Sequence, residues 1–219
     1  MRVTAFVVAM FAGLLLSAQE KEFEGIIKYR HSFKFDSSVT DTARIIEMAG
    51  TASAFYYKKG SYKWVYRSSV HEVTEYFDAN KQTLYFQYSW SGDTVFKTNA
   101  LVEDLLSFKQ FDTRDTICGF ACRKAQTKTF MKKLASLTER TIYYAPDIAI
   151  PSNRFYGYKL YATDFVTKKT KSWPLRIIIK AGKIPYVETY EATDVIPQEL
   201  SDSEVYLPPG KPIKPLTLF

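Results

Sequence analysis

The residues best placed to do chemistry are two cysteines. Cys118 and Cys122 bracket Gly119-Phe120-Ala121. On one straight strand, residues four apart lie ~13 Å apart, at about 3.3 Å per residue. A disulfide needs Cα atoms within about 7 Å. The pair therefore bonds only if Gly119-Phe120-Ala121 forms a three-residue hairpin tip. Alternating runs on either side, Phe111 to Thr116 and Arg123 to Phe130, fit such a tip. The expected product is a structural Cys118–Cys122 disulfide, with two free thiols as the alternative. The absent CxxC spacing makes a redox or metal role the weakest reading.

Other chemistry is poorly supported. His31 lies on an apolar strand face and reads as a core histidine. His71-Glu72-Val73-Thr74-Glu75 begins like a zinc-protease helix motif but lacks the second histidine. No Gly-x-Ser-x-Gly, phosphate loop or dinucleotide fingerprint occurs. The neighbouring carboxylates Glu103-Asp104 and Asp202/Glu204 fall in helix-surface or loop patterns, so they read as solvated groups. The expectation is a protein without catalytic residues, metal or cofactor.

Aromatic residues are the remaining candidates. They make up 16% of the chain, with 16 Tyr and 16 Phe. Phe33, Phe35, Tyr62, Trp64, Tyr66, Leu84, Phe86 and Trp90 fall on apolar strand faces and form the candidate ligand-binding set. The alternative is that the same residues simply fill a core.

The elements that must position these residues are mostly strands. Period-two alternation runs through Glu24 to Phe35, with Ile27, Tyr29, His31, Phe33 and Phe35 on one face. Further strands are expected over Phe55–Tyr57, Tyr62–Arg67, His71–Phe77, Thr83–Trp90, Thr138–Ala145, Tyr158–Phe165, Leu175–Ala181 and Ile184–Val195. Gly60-Ser61, Asp78 to Gln82 and Gly182-Lys183 mark hairpin turns. Thr40 to Ala54 holds a candidate short helix, and Asn99 is a candidate cap for a two-turn helix through Ser107. The fold class is therefore mainly β: a single curved antiparallel sheet of about ten strands, a half-open barrel with one to three short helices. Residues 22–210 form that one domain and 211–219 a loose tail.

Residues 1–18 read as a secretory signal peptide. Arg2 is followed by an apolar run from Val3 to Leu16, then Ser17-Ala18, then polar Gln19-Glu20-Lys21-Glu22. The run is shorter than the ~20 residues of a spanning helix, and no second such run follows, so no integral span is expected after cleavage near Ala18. An uncleaved anchor is the rival. The expected location is the periplasm or another exported compartment. The formal net charge of +7 becomes +6 without Arg2. The cations form only short clusters, Arg123-Lys124, Lys132-Lys133 and Lys168-Lys169…Lys171. They read as a solvated face rather than a lipid-headgroup contact, and no nucleic-acid partner is expected.

The order of motifs carries a resemblance. Phe23-Glu24-Gly25-Ile26-Ile27-Lys28-Tyr29 is followed by Tyr57-Lys58-Lys59-Gly60-Ser61-Tyr62-Lys63-Trp64 and Ile117-Cys118-Gly119-Phe120-Ala121-Cys122. Tyr143-Tyr144-Ala145-Pro146-Asp147-Ile148, Trp173-Pro174-Leu175-Arg176-Ile177 and Leu207-Pro208-Pro209-Gly210 complete the series. Over residues 23–210 this resembles a family of exported Gram-negative domains of unknown function. That family is similar in fold to the LolA/LolB periplasmic lipoprotein carriers. Cys118 is a departure from the family's Gly-x-x-Cys turn, and the Gly-Leu-Pro-Gly stretch of a neighbouring group is absent. The resemblance implies a sheet with an apolar concave face able to hold acyl chains, no catalytic residues, and lipid, lipoprotein or envelope proteins as partners. The alternative is a structural or interaction scaffold of an envelope complex with a filled core.

Overall fold

Strand-forming aromatic and β-branched residues dominate the chain, and they pair into one large sheet. The computed structural model describes residues 22–98, 103–132, 135–182 and 184–216. The signal-peptide reading and Asn99 lie outside them.

The strands are β1 (Gly25–Phe35), β2 (Ala52–Lys58), β3 (Ser61–Arg67), β4 (Glu72–Asp78), β5 (Thr83–Tyr88), β6 (Val95–Thr98), β7 (Asp104–Ile117), β8 (Phe120–Met131), β9 (Ser136–Ala149), β10 (Ser172–Ala181), β11 (Tyr186–Pro197) and β12 (Ile213–Pro215). Among the described residues three α-helices accompany them: α1 (Thr42–Ala49), α2 (Thr163–Thr170) and α3 (Asp202–Val205). The sheet order is β12-β6-β5-β4-β3-β2-β1-β11-β10-β9-β8-β7, so β7 and β12 are edges and the sheet is not closed. All pairings are antiparallel except β12 with β6.

The sheet curls. β2 and β10 are three strands apart, which is about 14 Å on a flat sheet at ~4.8 Å per strand. Yet the Phe55 and Trp173 rings stack at 4.2 Å. Such a contact requires the sheet to bend toward the face that carries them. Ile27, Tyr29, Phe55, Tyr57, Tyr62, Trp64 and Phe77 are buried on that inner face. Each buried side chain of this size contributes roughly 1.5–3 kcal/mol of apolar transfer free energy.

The segment between β9 and β10 closes the inner face. Ile150, Phe155, Tyr158, Leu160 and Ala162 are buried along it, and α2 adds Val166. Phe155 packs on Phe77 at 5.2 Å and on Trp173 at 5.7 Å, while Phe165 meets Phe108 of β7 at 5.3 Å.

Several expectations are corrected. Among the described residues the sheet has twelve strands, where about ten are expected. Residues 158–165 are not a strand: a 3-10 turn over Leu160–Ala162 leads into α2, because Tyr161 and Ala162 take left-handed φ of 59° and 53°, which ends any extended run. Asp104 to Ser107 belongs to β7 and not to a helix, since Leu105 and Ser107 pair with Thr129 and Lys128 of β8. Part of the expected tail, Ile213–Pro215, is held as β12 against β6.

The expected Cys118–Cys122 disulfide is also absent: both thiols are free. The β7–β8 hairpin turns on two residues, Cys118 and Gly119, with φ of 50° and 81° and Ile117 opposite Phe120. This is the twist-compatible tight turn. It leaves Cys118 exposed at the tip and sets Cys122, buried, opposite Asp115.

Candidate functional site

A cavity of about 80 Å³ lies between the inner face and its cover. β3 lines it with Tyr62, Trp64 and Tyr66; β10 with Trp173, Pro174, Ile177 and Ile179; β11 with Tyr190. β8 and β9 add Thr127, Arg140 and Ile142, while Tyr158, Tyr161, Thr163, Val166 and Thr167 form the cover. Alternation explains the lining. Tyr62, Trp64 and Tyr66 are every second residue of β3, and Thr127 of β8 sits directly opposite Arg140 of β9.

The candidate ligand-binding residues divide between this cavity and other places. Tyr62, Trp64 and Tyr66 line it. Leu84 and Phe86 join the apolar core beside it. Phe33 and Phe35 continue the inner face past His31 and Tyr190, forming a half-buried cluster with Tyr186 at ring distances of 5.6–5.9 Å. Trp90 is elsewhere. The chain leaves β5 as a 3-10 turn over Ser89–Ser91, so Trp90 drops off the strand face, is 66% exposed and stacks on Tyr88 at 4.5 Å.

Two buried polar clusters flank the cavity. Glu75 sits between Trp64 and Phe86 in the β3-β4-β5 register. Tyr62 donates its hydroxyl hydrogen to Glu75 Oε1, and Tyr158 donates to the same oxygen at 3.0 Å. The two phenol oxygens are 2.8 Å apart. Burial raises the Glu75 carboxyl to about 7, against the opposing pull of the two phenol hydrogen bonds. Burial likewise raises Tyr62 and Tyr158 well above the ordinary phenol range. Both phenols line the cavity but Glu75 does not. A cavity occupant thus meets the carboxyl only through Tyr62 and Tyr158.

The second cluster centres on Arg140. Its Nη1 and Nη2 donate to Glu103 Oε2 and Oε1 at 2.8 and 3.1 Å, and Thr129 donates to Glu103 Oε2 at 2.5 Å. The guanidinium lies over the Tyr161 ring, 4.6 Å from its centroid. Glu103 is 5% exposed, which corrects its reading as a solvated carboxylate. Among the described residues, Arg140 Nε and the Thr127 hydroxyl have no hydrogen-bond partner, and the Trp173 indole N–H lies beside the Tyr29 hydroxyl. Arg140, Thr127 and Trp173 all line the cavity.

His31 is a core histidine, as expected. It is 4% exposed, its Nε2 is 2.8 Å from Ser53 Oγ, and burial depresses it to about 4. Asp202 and Glu204 belong to the α3 cap, where Ser201 and Glu204 form a capping box. Among the described residues no group of three or more His, Cys, Asp or Glu is placed to hold a metal ion, and no helix is long and apolar enough to cross a membrane.

Comparison with known proteins adds no relative. No family model matches this chain, and no curated protein does. The site is thus read from its own geometry.

Sequence reasoning missed Glu75, Glu103 and Arg140. The signal was present for two of them. Glu75 shares a strand face with Val73 and Phe77, and Arg140 shares one with Ile142 and Tyr144. A charged residue at an inward position of an alternating strand marks a buried polar site.

Proposed function

We propose that this is an exported, non-enzymatic binding protein of the LolA/LolB-like half-barrel type, taking a hydrophobic ligand on the inner face of its sheet. The observation that carries the reading is the unfilled cavity under the cover of α2. Its walls are aromatic and aliphatic apart from a few polar groups, as expected for a small-molecule site. The ligand is a lipid or the acyl chain of a lipoprotein, and Phe33, Phe35 and Tyr186 extend the apolar surface beyond Tyr190. An 80 Å³ space is about half the ~150 Å³ cavity that takes up benzene. A whole chain therefore enters only when the cover lifts from Tyr62 and Trp173.

Native mass spectrometry with lipid extraction tests the reading on protein purified from the periplasm. Co-purifying lipid, or displacement of a fluorescent fatty acid, is the expected result. Protein that is reproducibly empty and ignores such probes overturns it.

The cavity's small volume favours a second reading, an interaction scaffold with a filled core. On that reading, hydrophobic probes leave the Trp64 and Trp173 fluorescence unchanged at every concentration.

A further inference from the structure

We infer that the inner face beside the cavity takes the cationic head of an amphiphile, an ammonium group on an apolar chain, with Glu188 as its counter-ion. This rests on the binding reading above and names the chemistry of the ligand's polar end.

One row across the sheet carries the inference. Residues directly opposite one another on neighbouring strands share a face. Thr127 of β8 is opposite Arg140 of β9, and Arg140 is opposite Ile179 of β10. Ile179 is opposite Glu188 of β11, and Glu188 is opposite Phe33 of β1. Thr127, Arg140 and Ile179 line the cavity, so Glu188 stands on the same inner face next to its wall. The Glu188 carboxyl lies beside the hydroxyl of Tyr190, which also lines the cavity. Glu188, Phe33, Phe35 and Tyr186 are only half-buried, so this end of the face is open to a ligand.

The neighbouring charges are already matched and that of Glu188 is not. Glu103 takes both Nη groups of Arg140, and Glu75 accepts from Tyr62 and Tyr158. Among the described residues Glu188 makes no ion pair. Burial raises its carboxyl, as expected of a partly desolvated anion with no cation beside it. Its surroundings are aromatic instead. Phe33 faces it across the β1–β11 register, and the rings of Phe33, Phe35 and Tyr186 lie 5.6–5.9 Å from one another. Ring faces attract cations. An alkylammonium satisfies both features: its charge pairs with Glu188, its head packs on the rings, and its chain follows Ile179 and Tyr190 into the cavity. A carboxylate or phosphate head meets a like charge at the same place.

The selectivity runs against the field of the whole molecule. The formal net charge is +7, which draws anions. A preference for a cation therefore has a local source.

The test titrates the full-length protein with octyltrimethylammonium, octanol and octanoate at pH 8 and low salt, by calorimetry. The cation should bind about fivefold or more tighter than octanol, the gain typical of a cation on aromatic rings. Octanoate should bind more weakly than octanol. In Glu188→Gln the cation's advantage should shrink toward onefold while octanol still binds. In the unaltered protein the side-chain carboxyl carbon resonance of Glu188 should move with the cation and not with octanol, so the test stands if the variant does not fold. Equal binding of cation and octanol overturns the inference alone. So does tighter binding of octanoate, or a cation preference that survives Glu188→Gln. If none of the three binds, the binding reading itself fails, and this inference with it.

Discussion

Arg140 of β9 grips Glu103, just ahead of β7, through two hydrogen bonds of 2.8 and 3.1 Å, although β8 runs between their strands. Both groups are almost fully buried, so water is not there to replace either partner. Removing one partner of such a pair typically costs 3–5 kcal/mol, because the other is left as a buried uncompensated charge. Glu103→Leu and Arg140→Met should each lower stability by about that much. The double replacement Glu103→Leu with Arg140→Met should cost clearly less than the two single losses added together. Urea denaturation of the four proteins measures the coupling; strict additivity would show that the pair is not a unit.

Glu75 and His31 pull the pH dependence of stability in opposite directions. The Glu75 carboxyl is raised to about 7 by burial, so folding favours its neutral form. Its contribution is full below the unfolded value near 4.5 and is lost as pH rises through 7. His31 is depressed to about 4, so folding favours its neutral form too. Its contribution is full above 6.5 and is lost as pH falls toward 4. Each swing is on the order of 3 kcal/mol. The difference in melting temperature between Glu75→Gln and the unaltered protein should therefore move in favour of the variant from pH 5 to pH 8. His31→Gln should gain relative to the unaltered protein from pH 6.5 down to pH 4. A difference curve that is flat with pH would remove the group concerned from the argument.

The strand faces were legible because period two and tight-turn dipeptides are local signals. Gly60 marked the first hairpin, but the turn falls on Lys59-Gly60 rather than Gly60-Ser61: both residues take positive φ, Ser61 pairs with Lys58, and a Cβ on Gly60 would meet Arg154 at 2.7 Å. Tertiary partnerships were not legible. Tyr158 is read locally as an alternating strand residue, yet its hydroxyl bonds Glu75, which is 83 positions away. Leu160, Ala162 and Val166 fit either period until the left-handed pair Tyr161-Ala162 fixes the helix. Likewise β12 exists only because β6 offers it an edge, and nothing within Ile213–Pro215 announces a strand. The aromatic set was readable as one face, but its division into cavity, core and exposed Trp90 depended on how the sheet curls.

The two thiols should behave differently. Cys118 stands exposed at the hairpin tip, whereas burial hides Cys122 and raises its thiol to about 11. The thiolate is the reacting species, so Cys122 is doubly protected. One equivalent of a maleimide should react in the folded protein and a second only in denaturant. Non-reducing peptide mapping should find no Cys118–Cys122 bridge. Zero reactive thiols in folded, unreduced protein would mean that the hairpin has rearranged to bond them.

Lys171 ends the cover helix α2 in a left-handed conformation, φ 51° and ψ 31°. Its N–H donates to Thr167 O at 2.8 Å, and its own carbonyl accepts from Ile150 N at 2.8 Å, so this backbone geometry ties both ends of the cover to β10. The lysine side chain is exposed, and it carries a Cβ where helices usually end on glycine. The left-handed conformation costs a non-glycine residue roughly 1–2 kcal/mol. Part of that is offset because lysine restricts the unfolded chain more than glycine does. Lys171→Gly should therefore stabilise the protein by about 0.5–1 kcal/mol, and Lys171→Val should destabilise it, since a branched Cβ fits this region worst. Thermal unfolding of the two variants checks the sign. If Lys171→Gly also tightens the cover, it should slow release of a bound hydrophobic probe, which stopped-flow fluorescence would read directly.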